Sequence, residues 1–182
     1  MRVLFQGLRV SGEGGRSKAA LLVVALALAL VLVAGVSLGL RSVSDSGEET
    51  PAPAELAGNK LVQALTGAEA VTEVNRLHGE GIDIVDAWIG RYEDGGAIWV
   101  AASGSEENAL QLLDDMVRRI EDGDSPYQGL TRDEFQGVSM YAVRDTSQHH
   151  FFYQMGTQVV WVATPPSVEG AFLADALRKV SQ

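Results

Sequence analysis

The sequence predicts an α+β protein: one N-terminal transmembrane helix, then an extracytoplasmic domain with an antiparallel sheet covered by helices on one face. Three observations lead there. Residues 19–40, AALLVVALALALVLVAGVSLGL, contain no charge and a single polar residue, Ser37. After them, strand-like runs bounded by glycine and proline turns alternate with amphipathic helical stretches. A strand–turn–helix pattern also recurs at fixed spacing, which points to two β-β-α repeats.

The chain of 182 residues suits one anchor and one domain of modest size. Four segments are expected: a cytoplasmic tail over 1–18, the transmembrane helix over 19–40, a flexible linker over 41–57 and the α+β domain over 58–182. At about 1.5 Å per residue, a helix over 19–40 spans about 33 Å, enough for a hydrocarbon core of about 30 Å. Helix is the conformation that satisfies its own backbone hydrogen bonds in lipid. Arg9, Arg16 and Lys18 precede this run, and Asp45, Glu48 and Glu49 follow it. The excess of bases before it places the N-terminus in the cytoplasm and the domain outside. The competing reading, a cleaved signal peptide, fits less well because the apolar stretch exceeds the usual 7–15 residues. Ser, Glu and Pro dominate the linker, a composition that stays solvated.

In the domain, Thr66 and Glu69 have the spacing of a capping box, with Ala70, Val71, Val74 and Leu77 on one helical face and Gly79 as a stop. A strand over 82–92, the turn Glu93, Asp94, Gly95, Gly96 and a strand over 97–102 follow. The second strand, AIWVAA, is apolar on both faces and so central. The next helix is capped by Ser103 or Ser105. Glu106 and Glu107 lie in its first turn and Arg118 and Arg119 in its last, the order that complements the helix dipole. Asp122 and Gly123 end it. Residues 124–133 read as a loop, then strands over 135–144, 149–155 and 158–164, and a last helix over 168–180 capped by Ser167. The repeat lies between 98–110, IWVAASGSEENAL, and 160–172, VWVATPPSVEGAF, where six of thirteen positions are identical at an offset of 62, Trp99 and Trp161 among them.

Charge narrows the partners. The net charge is −10, from 14 bases and 24 acids; five bases and one acid lie in residues 1–41, leaving −14 for the rest. So acidic a domain is repelled by nucleic acid and by anionic lipid headgroups. The chain has no cysteine, which removes disulfides, thiolate metal sites and cysteine nucleophiles.

No catalytic, cofactor or metal residue is assigned. His149 and His150 are adjacent, but neighbours on a strand point to opposite faces and cannot share one ion. The run Glu121, Asp122, Gly123, Asp124 lacks the ligand spacing of a calcium loop and reads as a helix stop. No G-x-S-x-G elbow and no phosphate-binding glycine loop is present. The candidate interface residues are Gly35 and Gly39, whose G-x-x-x-G spacing permits close helix contact, and the aromatics Phe151 and Tyr153, expected on the sheet face without helices. The expected function is that of a non-enzymatic, membrane-anchored accessory or interaction protein. Its partners would be the bilayer, through 19–40, and a membrane protein complex. The alternative is an extracytoplasmic small-molecule-binding or sensory domain.

Overall fold

The computed structural model describes residues 51–78 and 83–180. The expected tail and transmembrane helix, with Gly35 and Gly39, lie outside the described residues. Among the described residues, no helix is long and apolar enough to cross a membrane. These residues all belong to one unit, Arg41–Gln182.

The fold is α+β, an eight-stranded antiparallel sheet with three helices among the described residues. In chain order these are β1 (Glu55–Leu56), β2 (Asn59–Thr66), α1 (Gly67–His78), β3 (Ile84–Tyr92), β4 (Ala97–Ser103), α2 (Glu106–Glu121), β5 (Gln128–Phe135), β6 (Val138–Arg144), β7 (His149–Met155), β8 (Gln158–Thr164) and α3 (Glu169–Val180). The sheet order is β1-β2-β3-β4-β8-β7-β6-β5. Each half is therefore a meander of sequential strands, and the halves join where β4 meets β8. In that central pair Trp99 lies opposite Trp161, with Ile98 opposite Val162 and Val100 opposite Val160.

The helices cover both faces, not one. On one face α3 lays Phe172, Leu173, Ala176 and Leu177 over Ile98, Val100, Phe151, Tyr153, Val160 and Val162. On the other, α2 lays Ala109, Leu112, Leu113 and Met116 over Val143, Phe152 and Val159, while α1 sets Ala70 and Val74 against Ala87, Ile89 and Ala101. The cause lies in the central strands. β4 and β8 are buried or half-buried at every position, so either face left open would put a row of Val and Ile, or of Trp, Val and Ala, in water. Full burial of each such side chain is worth about 1.5–3 kcal/mol.

This arrangement limits the repeat. The hairpins β3–β4 and β7–β8 occupy equivalent places about the Trp99–Trp161 pair, as a two-fold axis normal to the sheet requires. Such an axis keeps each helix on its own face. Yet α2, after β4, and α3, after β8, lie on opposite faces. The likeness holds for the hairpins and fails for the helices that follow them.

Local chemistry fixes the helix ends. Ser105, in extended backbone, accepts a hydrogen bond from the Asn108 N–H at 3.1 Å and caps α2. At the other end the Asp122 N–H donates to the Arg118 carbonyl, Asp124 N–H to that of Arg119, and Gly123 takes a φ of +78°. The acidic run there is a helix stop, as its spacing predicts.

Several boundaries differ from expectation. Residues 59–66, without an expected element apart from Thr66 as a helix cap, form the strand β2, which ends at Thr66. Residues 128–135, expected as the end of a loop and the start of a strand, form the edge strand β5; the turn at Gln136 and Gly137 then separates it from β6. The ordered domain also begins before residue 58. Ala52 and Leu56 are buried, and the Tyr92 hydroxyl donates to the Pro53 carbonyl at 3.0 Å. Asp175 of α3 accepts from the Ala57 N–H at 2.9 Å, and Lys179 donates to the Glu55 carbonyl at 2.6 Å. These contacts turn the end of the expected linker into a strap fastened to α3.

Candidate functional site

Among the described residues, a dense grouping of chemical side chains surrounds His150, on the α2 face of β7. The residue is only 2% exposed. Asp145, in the turn between β6 and β7, lies against Nε2 with its Oδ2 at 3.1 Å. Trp161 of β8 donates its indole N–H to Nδ1 at 3.1 Å. Tyr127, just before β5, packs at a tilt against both, with ring centroids 4.7 Å from His150 and 5.0 Å from Trp161. Phe152 stacks on the Trp161 ring at 4.7 Å.

These contacts fix the tautomer. An indole nitrogen only donates, so Nδ1 of His150 must accept and carries no proton. The proton of the neutral ring then sits on Nε2 and is donated to Asp145. Burial pushes the His150 pKa below its ordinary value, against the opposite pull of Asp145. Burial also disfavours the ionised Asp145, but the N–H groups of Ser147 and Gln148, His150 and the Ser147 hydroxyl outweigh it and hold the carboxyl below its usual range. The Tyr127 hydroxyl is pushed up to about 12, by burial first and by Asp145 second.

An Asp–His pair resembles half of a nucleophilic triad, but both ring nitrogens here are already engaged. For His150 to take a proton or bind a metal through Nδ1, the Trp161 bond must break. The Asp145 carboxylate in turn closes its own turn, Oδ1 accepting from Ser147 and Gln148 at 2.7 and 2.8 Å. The arrangement reads as a satisfied polar clasp joining the β6–β7 turn, β8 and the loop before β5.

His149 points to the other face, as strand alternation predicts. Its Nδ1 pairs with the Glu169 carboxylate in the first turn of α3 and so ties the start of β7 to that helix. Among the described residues, no group of three or more His, Asp or Glu side chains is gathered as metal ligands would be.

Phe151 and Tyr153 were expected on an uncovered surface. The structure places them 9% and 1% exposed beneath α3, because the face they share is covered. They form core. The sequence reading missed Tyr127, Asp145 and Trp161 as companions of His150. The signal was available in part: Phe152 lies opposite Trp161, and His150 opposite Ala163, so His150 and Trp161 are diagonal neighbours on one face.

Among the described residues, two surface hollows can be outlined. One, of about 400 Å³, lies along the outer side of α2 and is lined by Glu107, Leu110, Gln111, Asp114, Val117 and Arg118. The other, of about 450 Å³, lies beside α3 and is lined by Ala57, Gln136, Ala171, Ala174, Asp175 and Arg178. Both are open to solvent, unlike the enclosed, mostly apolar clefts that bury most of a small ligand. Comparison with protein-family models, with curated proteins and with solved structures gives no match.

Proposed function

We propose that this chain is a non-enzymatic, single-pass membrane-anchored accessory or interaction protein. Its N-terminus would lie in the cytoplasm, and its α+β domain would dock outside on a partner membrane complex. The observation that carries the reading is the uncharged run over 19–40, with bases before it and an acidic domain after it. The state of the chemical groups supports it. His150 and Asp145 are spent on each other, on Trp161 and on their own turn, and His149 is held by Glu169. The two surface hollows are open, which favours a protein partner over an enclosed small ligand.

The test is affinity purification of the full-length chain from its native membrane in mild detergent, with residues 41–182 alongside. A stoichiometric membrane complex that appears only with the full-length chain supports the reading. A chain that emerges alone refutes it and directs effort to ligand screening by thermal shift. If the anchor packs against the partner, replacing Gly35 and Gly39 by Leu weakens the association, because the larger side chains hold the helices apart.

A further inference from the structure

We infer that the outer edge of β5 is a self-association surface, on which a second copy of this chain pairs antiparallel about Asp133 to continue the sheet. The inference stands apart from the membrane-accessory reading and does not depend on it.

Among the described residues β5 is the last strand of the sheet, and one side of its backbone has no neighbouring strand. Thr131, Arg132, Asp133 and Glu134 are all exposed. The phase of its hydrogen bonds follows from the hairpin. Gln136 and Gly137 take φ of +52° and +82°, a two-residue turn of the I′ kind. Phe135 and Val138, which flank that turn, form a hydrogen-bonded pair. Pairing alternates along an antiparallel ladder, so Asp133 and Thr131 also turn their backbone groups toward β6. Arg132 and Glu134 turn theirs toward the open edge.

Two copies can then meet with Arg132, Asp133 or Glu134 on the dimer axis. Centring on Arg132 sets arginine against arginine, and centring on Glu134 sets glutamate against glutamate. Centring on Asp133 sets Arg132 of each copy opposite Glu134 of the other. These are also the residues whose N–H and C=O groups face outward. The two pairs therefore exchange backbone hydrogen bonds and opposite charges together, and cross-strand pairs of this kind stabilise sheets. Arg132 leans over β6 in the single chain, its guanidinium 5.8 Å from the Tyr141 ring and its Nε donating to the Ser139 hydroxyl at 3.2 Å, and it turns outward to meet Glu134 of the second copy. One like-charge contact remains, Asp133 against Asp133 on the axis.

The cysteine-free chain allows a direct test. In a non-hydrogen-bonded antiparallel pair the Cα atoms lie about 4.5 Å apart, within reach of a disulfide. Full-length protein carrying Asp133→Cys, in mild detergent under gentle oxidation, is expected to form a covalent dimer at least tenfold faster than the same chain with a cysteine at exposed Glu107. Adding Arg132→Glu or Glu134→Arg singly should abolish that excess, since each change sets like charges opposite. Adding both together should restore it, because the charges are exchanged and remain complementary. No excess at Asp133, or an excess that both single changes leave intact, overturns the inference. Single changes that abolish the dimer without rescue by the double change also overturn it, by pointing to a different register or to a different protein on this edge.

Discussion

Phe172 and Gly96 are fitted to each other closely enough to be measured. Phe172 is fully buried on α3 and meets Tyr92 edge-on, with ring centroids 5.4 Å apart. Gly96, in the β3–β4 turn, leaves room for that ring: a Cβ there would lie 2.5 and 2.7 Å from two of its carbons and 3.0 Å from Asp94 Oδ1. Gly96 does not take positive φ, so alanine brings no backbone strain and the clash decides the outcome. Overpacking of this kind costs about 1–3 kcal/mol, offset by under 1 kcal/mol from the stiffer unfolded chain. Gly96→Ala should therefore destabilise the domain by about 1–2 kcal/mol. Phe172→Leu alone should cost about 1–2 kcal/mol for the volume lost. Together the two are expected to cost no more than either alone, since the shorter side chain makes room for the new methyl, giving a coupling of about 1–2 kcal/mol. Urea unfolding of residues 41–182 reads this directly. With a slope of about 2 kcal/mol per M, each single change shifts the midpoint by roughly 0.5–1 M. Simple additivity of the two changes would refute the reasoning, because it would mean that ring and turn do not constrain each other.

Two other outcomes follow from the polar contacts. His150 is held neutral in the fold, while the unfolded chain titrates near the ordinary value of about 6.5. Below that value the unfolded state binds a proton that the folded state refuses. The contribution is thus complete above about pH 7 and lost as pH falls through 6.5 toward the lower folded pKa, at no more than about 1.4 kcal/mol per pH unit. Urea midpoints at pH 7.5 and 5.5 should differ more in the native protein than in His150→Phe; equal differences would contradict the burial-lowered pKa of His150. Replacing Asp175 by Ala removes the acceptor of the Ala57 N–H and should cost about 1–3 kcal/mol. Hydrogen exchange should show faster exchange at Ala57 and Leu56 while the amides of β4 and β8 keep their protection.

How much of this was legible in the sequence depended on burial. α2 was readable throughout, because its cap, charge order and apolar face agree, and the structure adds only that Ser105 is the capping residue. β4 and β8 were readable as buried strands from their unbroken apolar runs. The edge strands were not. β5, QGLTRDEF, is exposed at nearly every position, so no alternation of polar and apolar residues marks it. It is a strand because β6 pairs with it, a relation that local sequence does not carry. β1 has only two residues and owes its place to Asp175 and Lys179, more than a hundred positions away. The clasp around His150 was hidden for the same reason: Tyr127, Asp145, His150 and Trp161 come from four separate segments.

The expectation of a single covered face was inconsistent with another reading of the same sequence. A strand apolar on both faces must be covered on both, and AIWVAA was read as such a strand. The repeat argued the other way, since a two-fold through Trp99 and Trp161 would carry α2 onto an equivalent helix on its own face. Burial decides between these constraints. α1 and α2 already occupy the Trp99 and Trp161 face, so a further helix there would leave Ile98, Val100, Val160 and Val162 open to water. After β8 the chain runs through Pro165 and Pro166, where the equivalent positions after Ala102 are Ser103, the last residue of β4, and Gly104. Two successive prolines cannot continue a helix or donate to a strand, and they allow the chain to change face before α3 begins. The departure from the repeat thus falls where the two copies differ most in sequence, at the residues that steer the exit from the sheet.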